Sequence, residues 1–322
     1  MNTHLSILSI AALALLATSC TYSGKQPMHV EGTVTYVSTI EDIPSGSSRV
    51  RAWVPVPTST PFQTVTNLTY EPATAKIAEE PQYGNRILYL EQQASGSGPV
   101  EVRVSFDVLR QKQVAASEQA DGTLMTRHLE PDRLGIIDKR IEDMSAEAVA
   151  GHGTTMAKAR AIYDYVLEHM DYDKKTPGWG HGDTARACDV GKGNCSDYHS
   201  LFISMARAAN IPARFHYGLA LKPNGKAGPH CWAAFHDEKL GWVPVDISEA
   251  DKDPSKTEFY FGNLSTNRVE LTTGRDINLS PRQTSASLNF FIAPHVEVDG
   301  KLHEAVSYKT SHVSDAFPKA LN

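Results

Sequence analysis

The stretch Gly-Asn-Cys-Ser-Asp-Tyr-His-Ser-Leu-Phe-Ile-Ser-Met-Ala-Arg-Ala-Ala-Asn-Ile-Pro, residues 193–212, brings a cysteine to the start of a predicted helix. Gly193 permits a close backbone approach just before Cys195. Asn210 can end the helix in a left-handed conformation, and Pro212 prevents its continuation. Apolar residues recur at helical spacing and predict one buried face, made by Leu201, Phe202, Met205, Ala206 and Ala209.

The predicted position of Cys195 favours its thiolate form. Unpaired backbone N–H groups and the positive end of the helix dipole gather at a helix N-terminus. The thiolate, and not the thiol, is the nucleophile in cysteine chemistry. A nucleophile of this kind needs a base, and the base needs a group that orients it.

Two downstream segments can supply the base and its orienting group. Residues 230–236 alternate like a strand, and residues 241–246 resemble the next strand. His230 begins the first and Asp246 ends the second, so the two side chains can lie side by side. His199 is the alternative base, because it lies four residues after Cys195 on the same helix face. We favour His230, since a base on a separate strand can approach the sulfur from the substrate side.

Cys, His and Asp in this order, on helix, strand and strand, resemble the transglutaminase-like superfamily, whose fold is papain-like. The resemblance covers about residues 157–248 and rests on four motifs in order: Gly193-Asn194-Cys195-x-Asp197, residues 206–214, His230-x-Trp232, and Gly-Trp-Val-Pro-Val-Asp at 241–246. Asn210 stands where the family usually has glycine, and asparagine tolerates the same left-handed geometry. The resemblance implies an α+β fold in which Cys195 is the nucleophile, His230 the base and Asp246 the orienting residue.

The family contains peptidases, amidases, transglutaminases and members of unknown activity, so the resemblance implies a reaction type and no particular substrate. We expect acyl transfer from amide or isopeptide bonds, hydrolytic in the first instance because water is always present. A transglutaminase that uses an amine acceptor is one alternative. A binding module that keeps the fold without turnover is another. Peptides or proteins are the expected substrates, cell-wall peptides among them.

Residues 1–19 are expected to be a signal peptide and to belong to no fold. An apolar run at residues 5–17 is followed by Ala17-Thr18-Ser19-Cys20, which resembles a bacterial lipoprotein signal. Ala17-x-Ser19 also fits an ordinary small-x-small cleavage site, and both interpretations place the cut at the same bond. Cleavage before Cys20 would leave its thiol to carry a lipid, and residues 20–28 would form a polar tether. We therefore expect an exported protein of the cell envelope, facing the periplasm, whose contact with a membrane is the lipid at Cys20.

The chain has four cysteines, at positions 20, 188, 195 and 231. In an exported protein, a lipid on Cys20 would leave an odd number of thiols. A disulfide between Cys188 and Cys231 beside a free Cys195 fits that count. Alternatively, Cys188 and Cys231 are small buried apolar residues. A metal site is disfavoured by the spacing of the cysteines and histidines, so we expect neither a metal nor a cofactor.

The 322 residues, with 21% charged residues and a net charge of −6, suit a globular protein of two domains without a basic surface for nucleic acid.

Residues 29–115 contain short alternating strands and predict an antiparallel β-sandwich, which would act as a scaffold or as a wall of the substrate cleft. The catalytic domain is expected at residues 134–308, with Thr154 or Thr155 capping a helix that runs to about Met170. Residues 247–255 are expected to form a polar loop, residues 296–302 a hairpin, and residues 309–322 a loose tail.

A glycine-rich loop precedes the cysteine helix. Residues 176–184 read Thr-Pro-Gly-Trp-Gly-His-Gly-Asp-Thr, and three glycines suggest a loop bent close to another element. The oxyanion formed during acyl transfer needs hydrogen-bond donors. Trp179 could supply an indole N–H, or it could be a packed tryptophan that only covers the cleft.

Overall fold

The computed structural model describes residues 29–94, 98–116 and 122–315. The predicted signal peptide, the tether and Cys20 lie outside the described residues. These residues form fifteen strands, seven α-helices and one 3-10 helix at Pro254–Lys256. The strands are β1 His29–Ile40, β2 Arg49–Val56, β3 Gln63–Glu71, β4 Lys76–Glu79, β5 Arg86–Gln93, β6 Val100–Gln111, β7 Asp171–Tyr172, β8 Lys192–Gly193, β9 Ala213–Leu221, β10 Ala227–Asp237, β11 Gly241–Val245, β12 Arg268–Thr273, β13 His295–Val298, β14 Lys301–Leu302 and β15 Val306–Ser314. The helices are α1 Gly122–Arg127, α2 Lys139–Ala148, α3 Thr155–His169, α4 Thr184–Val190, α5 Cys195–Ala208, α6 Ile247–Lys252 and α7 Thr257–Tyr260.

Two antiparallel sheets form a β-sandwich from both ends of the chain. One has the strand order β15-β1-β6-β3 and the other β14-β13-β2-β5-β4. Alternation along β6 places Val102, Val104, Phe106 and Val108 inside the sandwich. The predicted hairpin at 296–302 is confirmed as β13 and β14, and β13 pairs with β2. β13 and β14 lie within residues 134–308, the range predicted for the catalytic domain, but in the structure they complete one sheet of the sandwich.

The expected loose tail from residue 309 is wrong for residues 309–314. They belong to β15, which pairs with β1 over nine residues, from Gly32 with Ser314 to Ile40 with Val306. β15 is an edge strand with one face in solvent, so its side chains are mostly polar and give a weak strand pattern. Residues 316–322 lie outside the described part of the chain.

The second half of the chain builds a sheet of order β11-β10-β9-β12 around helix α5. The predicted start of α3 is settled at Thr154, whose side chain accepts the Ala157 N–H. Asn210 adopts the expected left-handed conformation, with φ of 60°, and ends α5. Every residue of α5 from Ser196 to Arg207 is buried, so the helix is central and not merely amphipathic.

The polar segment after Asp246 is a helix, α6, where the sequence led us to expect a loop. The Asp246 side chain accepts the Glu249 N–H and so acts as the N-cap of α6. This cap also fixes the carboxylate of Asp246 at the end of β11. A residue expected to orient a base therefore has a second, structural attachment.

Candidate active site

The sequence around Cys195 folds into a helix start with a reciprocal cap. The Asn194 side chain accepts the Ser196 N–H at 2.9 Å, and the Asp197 carboxylate accepts the Asn194 N–H at 2.9 Å. Gly193 is required here, since a Cβ on it would lie 2.3 Å from the Asp197 Oδ2. Cys195 is thereby held as the first residue of α5, as the sequence predicts.

The Asp197 carboxylate also fastens the glycine-rich loop to the helix start. The Gly180 N–H donates to Asp197 Oδ2 at 2.7 Å, and the Gly182 N–H donates to Oδ1 at 3.0 Å. The Ser196 hydroxyl donates in return to the Gly180 carbonyl at 3.0 Å. The expectation that this loop bends close to another element is confirmed, because it lies against the first turn of α5.

His230 and Asp246 lie side by side at the ends of β10 and β11. The His230 Nε2–H donates to Asp246 Oδ2 at 2.7 Å. The remaining nitrogen of the ring, Nδ1, is left for the sulfur of Cys195, whose thiol is in hydrogen-bond contact with the imidazole. Trp232 packs its ring near the imidazole, with the two centroids 6.4 Å apart. The structure thus brings together the three residues that the sequence selects.

Contacts within the site shift the pKa values of Cys195 and His230. Hydrogen bonding with the Cys231 thiol, and then with His230, holds the pKa of Cys195 well below its ordinary value in spite of burial. Burial acts to lower the pKa of His230, but the Asp246 carboxylate outweighs it and raises the pKa to about 9. Cys195 as thiolate and His230 as imidazolium are therefore compatible at neutral pH.

His199, the alternative base, has different partners. Its Nε2 accepts the backbone N–H of Ile247 at 3.1 Å, so its proton is carried on Nδ1. Nδ1 lies 3.8 Å from the Cys231 sulfur. Burial lowers the pKa of His199, although the Asp246 carboxylate is 3.7 Å from its Nε2. A neutral imidazole with both nitrogens occupied in this way is a packing group of the helix.

A buried arginine beside Asp246 was not found by sequence reasoning. Arg268 is 3% exposed, and its Nε lies 3.8 Å from Asp246 Oδ2. Its Nη2 donates to Glu249 at 2.9 Å and its Nη1 donates to Asn267 at 2.8 Å. The pair Asp246-x-x-Glu249 is a recognisable helix-start pattern that could have pointed to Glu249. Arg268 lies on β12, far along the chain, and no local pattern indicates it.

The three described cysteines are all free thiols. The suggested Cys188–Cys231 disulfide is therefore wrong. Cys231 is buried at the site, in hydrogen-bond contact with Cys195, and burial raises its pKa well above the ordinary value. Cys188 lies on α4, where Arg140 is among its charged neighbours. Within the described part of the chain, no group of three or more histidine, cysteine or acidic side chains is arranged to hold a metal ion.

Cys195 opens into a cavity of about 630 Å³. The cavity is lined by residues of the glycine-rich loop, the ends of β9 and β10, and the region of α6 and β12. Trp179 lines it and is 37% exposed, so the ring covers part of the cleft, which is compatible with both interpretations of this residue. The ammonium of Lys174 lies 5.7 Å from the centre of the Trp179 ring. A substrate in this cavity would contact Cys195 and Trp179 together.

Comparison with known proteins agrees with this geometry. Residues 142–247 match the model of the transglutaminase-like superfamily. A Haemophilus influenzae protein described as uncharacterized is 26% identical over 324 residues, which cover 80% of this chain and 83% of that protein. A solved structure from Cytophaga hutchinsonii, described as a "Putative Cysteine Protease", has a TM-score of 0.57 at 16% identity and covers 92% of this chain and 94% of its own.

A more distant likeness is to the periplasmic domain of TgpA from Pseudomonas aeruginosa, with a TM-score of 0.42 at 21% identity over 68% of this chain and 74% of that one. The Cytophaga hutchinsonii structure extends over the sandwich as well as the helical core, so its likeness concerns the whole α+β fold.

Among residues 29–94, 98–116 and 122–315, no helix is long and apolar enough to span a bilayer.

Proposed function

Because residues 142–247 belong to the transglutaminase-like superfamily, we propose that this protein is a thiol enzyme that transfers acyl groups from amide or isopeptide bonds. One observation carries the proposal. The imidazole of His230 lies between the Cys195 thiol and the Asp246 carboxylate, with the Nε2–Oδ2 hydrogen bond at 2.7 Å, beside an open cavity. This is the arrangement that activates a cysteine nucleophile.

In the acylation step, the Cys195 thiolate attacks the carbonyl carbon and forms a carbon–sulfur bond. The electrons of the C=O bond move to oxygen and give a tetrahedral oxyanion. The His230 imidazolium then gives its proton to the leaving nitrogen, the carbon–nitrogen bond breaks, and the amine departs from a thioester on Cys195. Asp246 keeps the imidazole oriented and stabilises its positive charge throughout.

In the deacylation step, neutral His230 takes a proton from the acceptor as the acceptor attacks the thioester carbonyl. The carbon–sulfur bond breaks, and the thiolate and imidazolium are restored. Water as the acceptor makes the protein a peptidase or amidase, and a lysine amine makes it a transglutaminase. We place hydrolysis first, because the cavity is open and Cys195 is itself partly exposed.

Two donors could stabilise the oxyanion. The Cys195 N–H is at the first position of α5 and has no acceptor within the helix. The Trp179 indole N–H is the second candidate, since the ring stands at the cavity and is anchored by the glycine-rich loop. Loss of an oxyanion donor slows acyl transfer by about 10²–10³-fold in well-studied cases.

The test is acyl-enzyme formation from p-nitrophenyl acetate, followed by release of nitrophenol and by peptide mass. We expect a burst of nitrophenol and an acetyl group on Cys195, with Cys195→Ala showing neither. Trp179→Phe should slow acetylation of Cys195 and leave its alkylation by iodoacetamide unchanged. Wild-type protein that forms no acyl-enzyme would contradict the proposal and favour a binding module. Partition of the thioester between water and added cadaverine then separates hydrolase from transglutaminase.

Location narrows the expected substrates. The proposal that the protein is exported and carries a lipid on Cys20 rests on the signal-like sequence of residues 5–20. We propose that the folded part is held at the cell envelope by that lipid and faces the periplasm, where peptides of the cell wall and exported proteins are available. Metabolic labelling with a fatty-acid analogue, compared between wild type and Cys20→Ala, tests the anchor: equal labelling of both would exclude it.

A further inference from the structure

We propose that the substrate of this site carries a carboxylate, and that the ammonium groups of Lys174 and Lys222 attract it into the cavity. The inference rests on the proposed function, since it names the chemical class of substrate that the same cavity accepts. It concerns side chains outside the Cys195, His230 and Asp246 group.

The lining of the cavity has the opposite charge sign from the protein as a whole. The chain carries a net charge of −6. Besides His230, four cationic side chains line the cavity, Lys174, Lys222, Lys252 and Arg268, and Glu249 is the carboxylate residue among the lining residues of the described chain. A concave surface of one charge sign attracts ligands of the opposite sign and raises their local concentration.

Two of the four cations are already partnered. Glu249 accepts from Lys252 at 2.7 Å and from Arg268 at 2.9 Å. Lys174 and Lys222 have no carboxylate oxygen within 4.0 Å of their ammonium groups among the residues that the structure describes. They are the two cations of the cavity whose charge remains available to a ligand.

The two lysines reach the cavity from different elements. Lys174 follows β7, and its ammonium stands over Tyr172 and Trp179, with the ring centres 5.8 and 5.7 Å away. Lys222 follows β9, and its ammonium lies where a Cβ on Gly228 would be 3.0 Å away, two residues before His230. A carboxylate in the cavity therefore has an ammonium available on the β7 side and another at the end of β9.

The backbone that carries Lys222 is braced by the β-sandwich. His312 on β15 donates from Nε2 to the Lys222 carbonyl at 2.9 Å. The His312 N–H donates to the Gly225 carbonyl at 2.8 Å in the same turn. The turn between β9 and β10 is thus attached at two points, so the backbone position of Lys222 is set by the fold.

The experiment compares alkylation of Cys195 by iodoacetate, which carries a carboxylate, with alkylation by neutral iodoacetamide. Both reagents meet the same thiolate, so the ratio of their rates is insensitive to small changes in the pKa of Cys195. We expect Lys174→Gln/Lys222→Gln to lower the iodoacetate rate about three- to ten-fold at low ionic strength and to leave the iodoacetamide rate within about two-fold. At about 1 M salt the difference should vanish, because the screening length falls to about 3 Å.

The matched control is Lys301→Gln/Lys309→Gln, which removes the same charge from exposed positions of the sandwich. It should leave the rate ratio unchanged. An unchanged ratio in the Lys174/Lys222 variant, with Cys195 still reactive, overturns this inference and leaves the proposed function standing. Cys195 inert to both reagents overturns the proposed function itself.

The carboxylate could belong to an acidic side chain or to a peptide C-terminus. Protection of Cys195 from iodoacetamide distinguishes them, with N-acetyl-glutamate N-methylamide as the side-chain probe and N-acetyl-glycyl-glycine as the C-terminal probe. Protection by one of them that is lost in the Lys174→Gln/Lys222→Gln variant identifies the source. Equal protection by N-acetyl-glutamine N-methylamide, which has no carboxylate, would contradict the proposal.

Discussion

The site contains two buried histidines, His230 on strand β10 and His199 on helix α5, and their pKa values are shifted in opposite directions. His230 on β10 donates to Asp246 at 2.7 Å, and its pKa is raised to about 9. His199 on α5 has Nε2 at 3.7 Å from the same carboxylate, yet its pKa is lowered. Proximity to a carboxylate therefore does not by itself make a charged imidazole.

The difference lies in what occupies Nε2. In His230 this nitrogen is a donor to a carboxylate, and that hydrogen bond favours the imidazolium. In His199 the same nitrogen accepts the Ile247 N–H, and protonation would break that bond inside a buried helix. The comparison supports His230 as the base and His199 as a neutral packing group.

The largest expected effect is on the reactivity of Cys195. His230→Ala should slow alkylation by iodoacetamide at about pH 5.5 by about a hundred-fold or more, because the thiol pKa returns towards about 8.5. His199→Phe should change that rate by less than about three-fold. The measurement is the rate of Cys195 modification from about pH 5 to 9, followed by peptide mass.

The reverse result, with His199→Phe abolishing reactivity at low pH and His230→Ala sparing it, would assign the base to the helix. Cys188→Ser is the control, since Cys188 lies on α4 and should contribute only slow labelling at high pH; burial raises its pKa to about 11.

An intermediate effect is expected at Asp246. Asp246→Asn removes the anion that raises the pKa of His230, so this pKa should fall from about 9 by about one to three units. The imidazolium would then be lost at a lower pH, and acyl transfer at pH 8 should fall by about ten-fold or more. Titration of the His230 ring by NMR measures the shift directly, and a pKa that stays near 9 would show that Asp246 is not its cause.

The smallest expected effect is on stability and concerns His199. His199→Phe leaves the buried Ile247 N–H without its acceptor and should cost about 1 kcal/mol of unfolding free energy at neutral pH. Urea unfolding measures this loss. Unchanged stability would mean that the N–H finds another acceptor.

The same variant should change the acid dependence of stability. Because the pKa of His199 is lowered in the folded protein, the unfolded chain binds one more proton below about pH 6.5. This part of the stability is present above that pH and is lost as the pH falls. The wild type should therefore lose more unfolding free energy than His199→Phe between pH 7.5 and pH 5. A larger loss of unfolding free energy in His199→Phe than in the wild type would contradict the prediction.

Local features of the site could be predicted from the sequence. The cysteine at the helix start, the left-handed Asn210 and the strands carrying His230 and Asp246 each depend on neighbouring residues, and each is found in the structure. The bending of the glycine-rich loop also follows from its composition, although its anchor, Asp197, is recognised only once the contact is seen.

Features that depend on distant pairing could not be predicted. Arg268 reaches Asp246 from β12, and the central position of α5 depends on elements packed on every side of it. The polar strand β15 shows little hydrophobic alternation, because its outer face is in solvent, and its sequence therefore predicts a tail. A local sequence pattern indicates which side chains are buried, but it does not indicate which distant strand pairs with the segment.

The pairing of β15 with β1 has a consequence for the order in which the molecule can be completed. β1 is the first described strand and β15 the last, so one sheet of the sandwich closes only when nearly the whole chain is available. β15 also holds the turn that carries Lys222. A chain that ends before β15 therefore contains Cys195 and α5, but it lacks the strand that completes this sheet and holds the Lys222 turn in place.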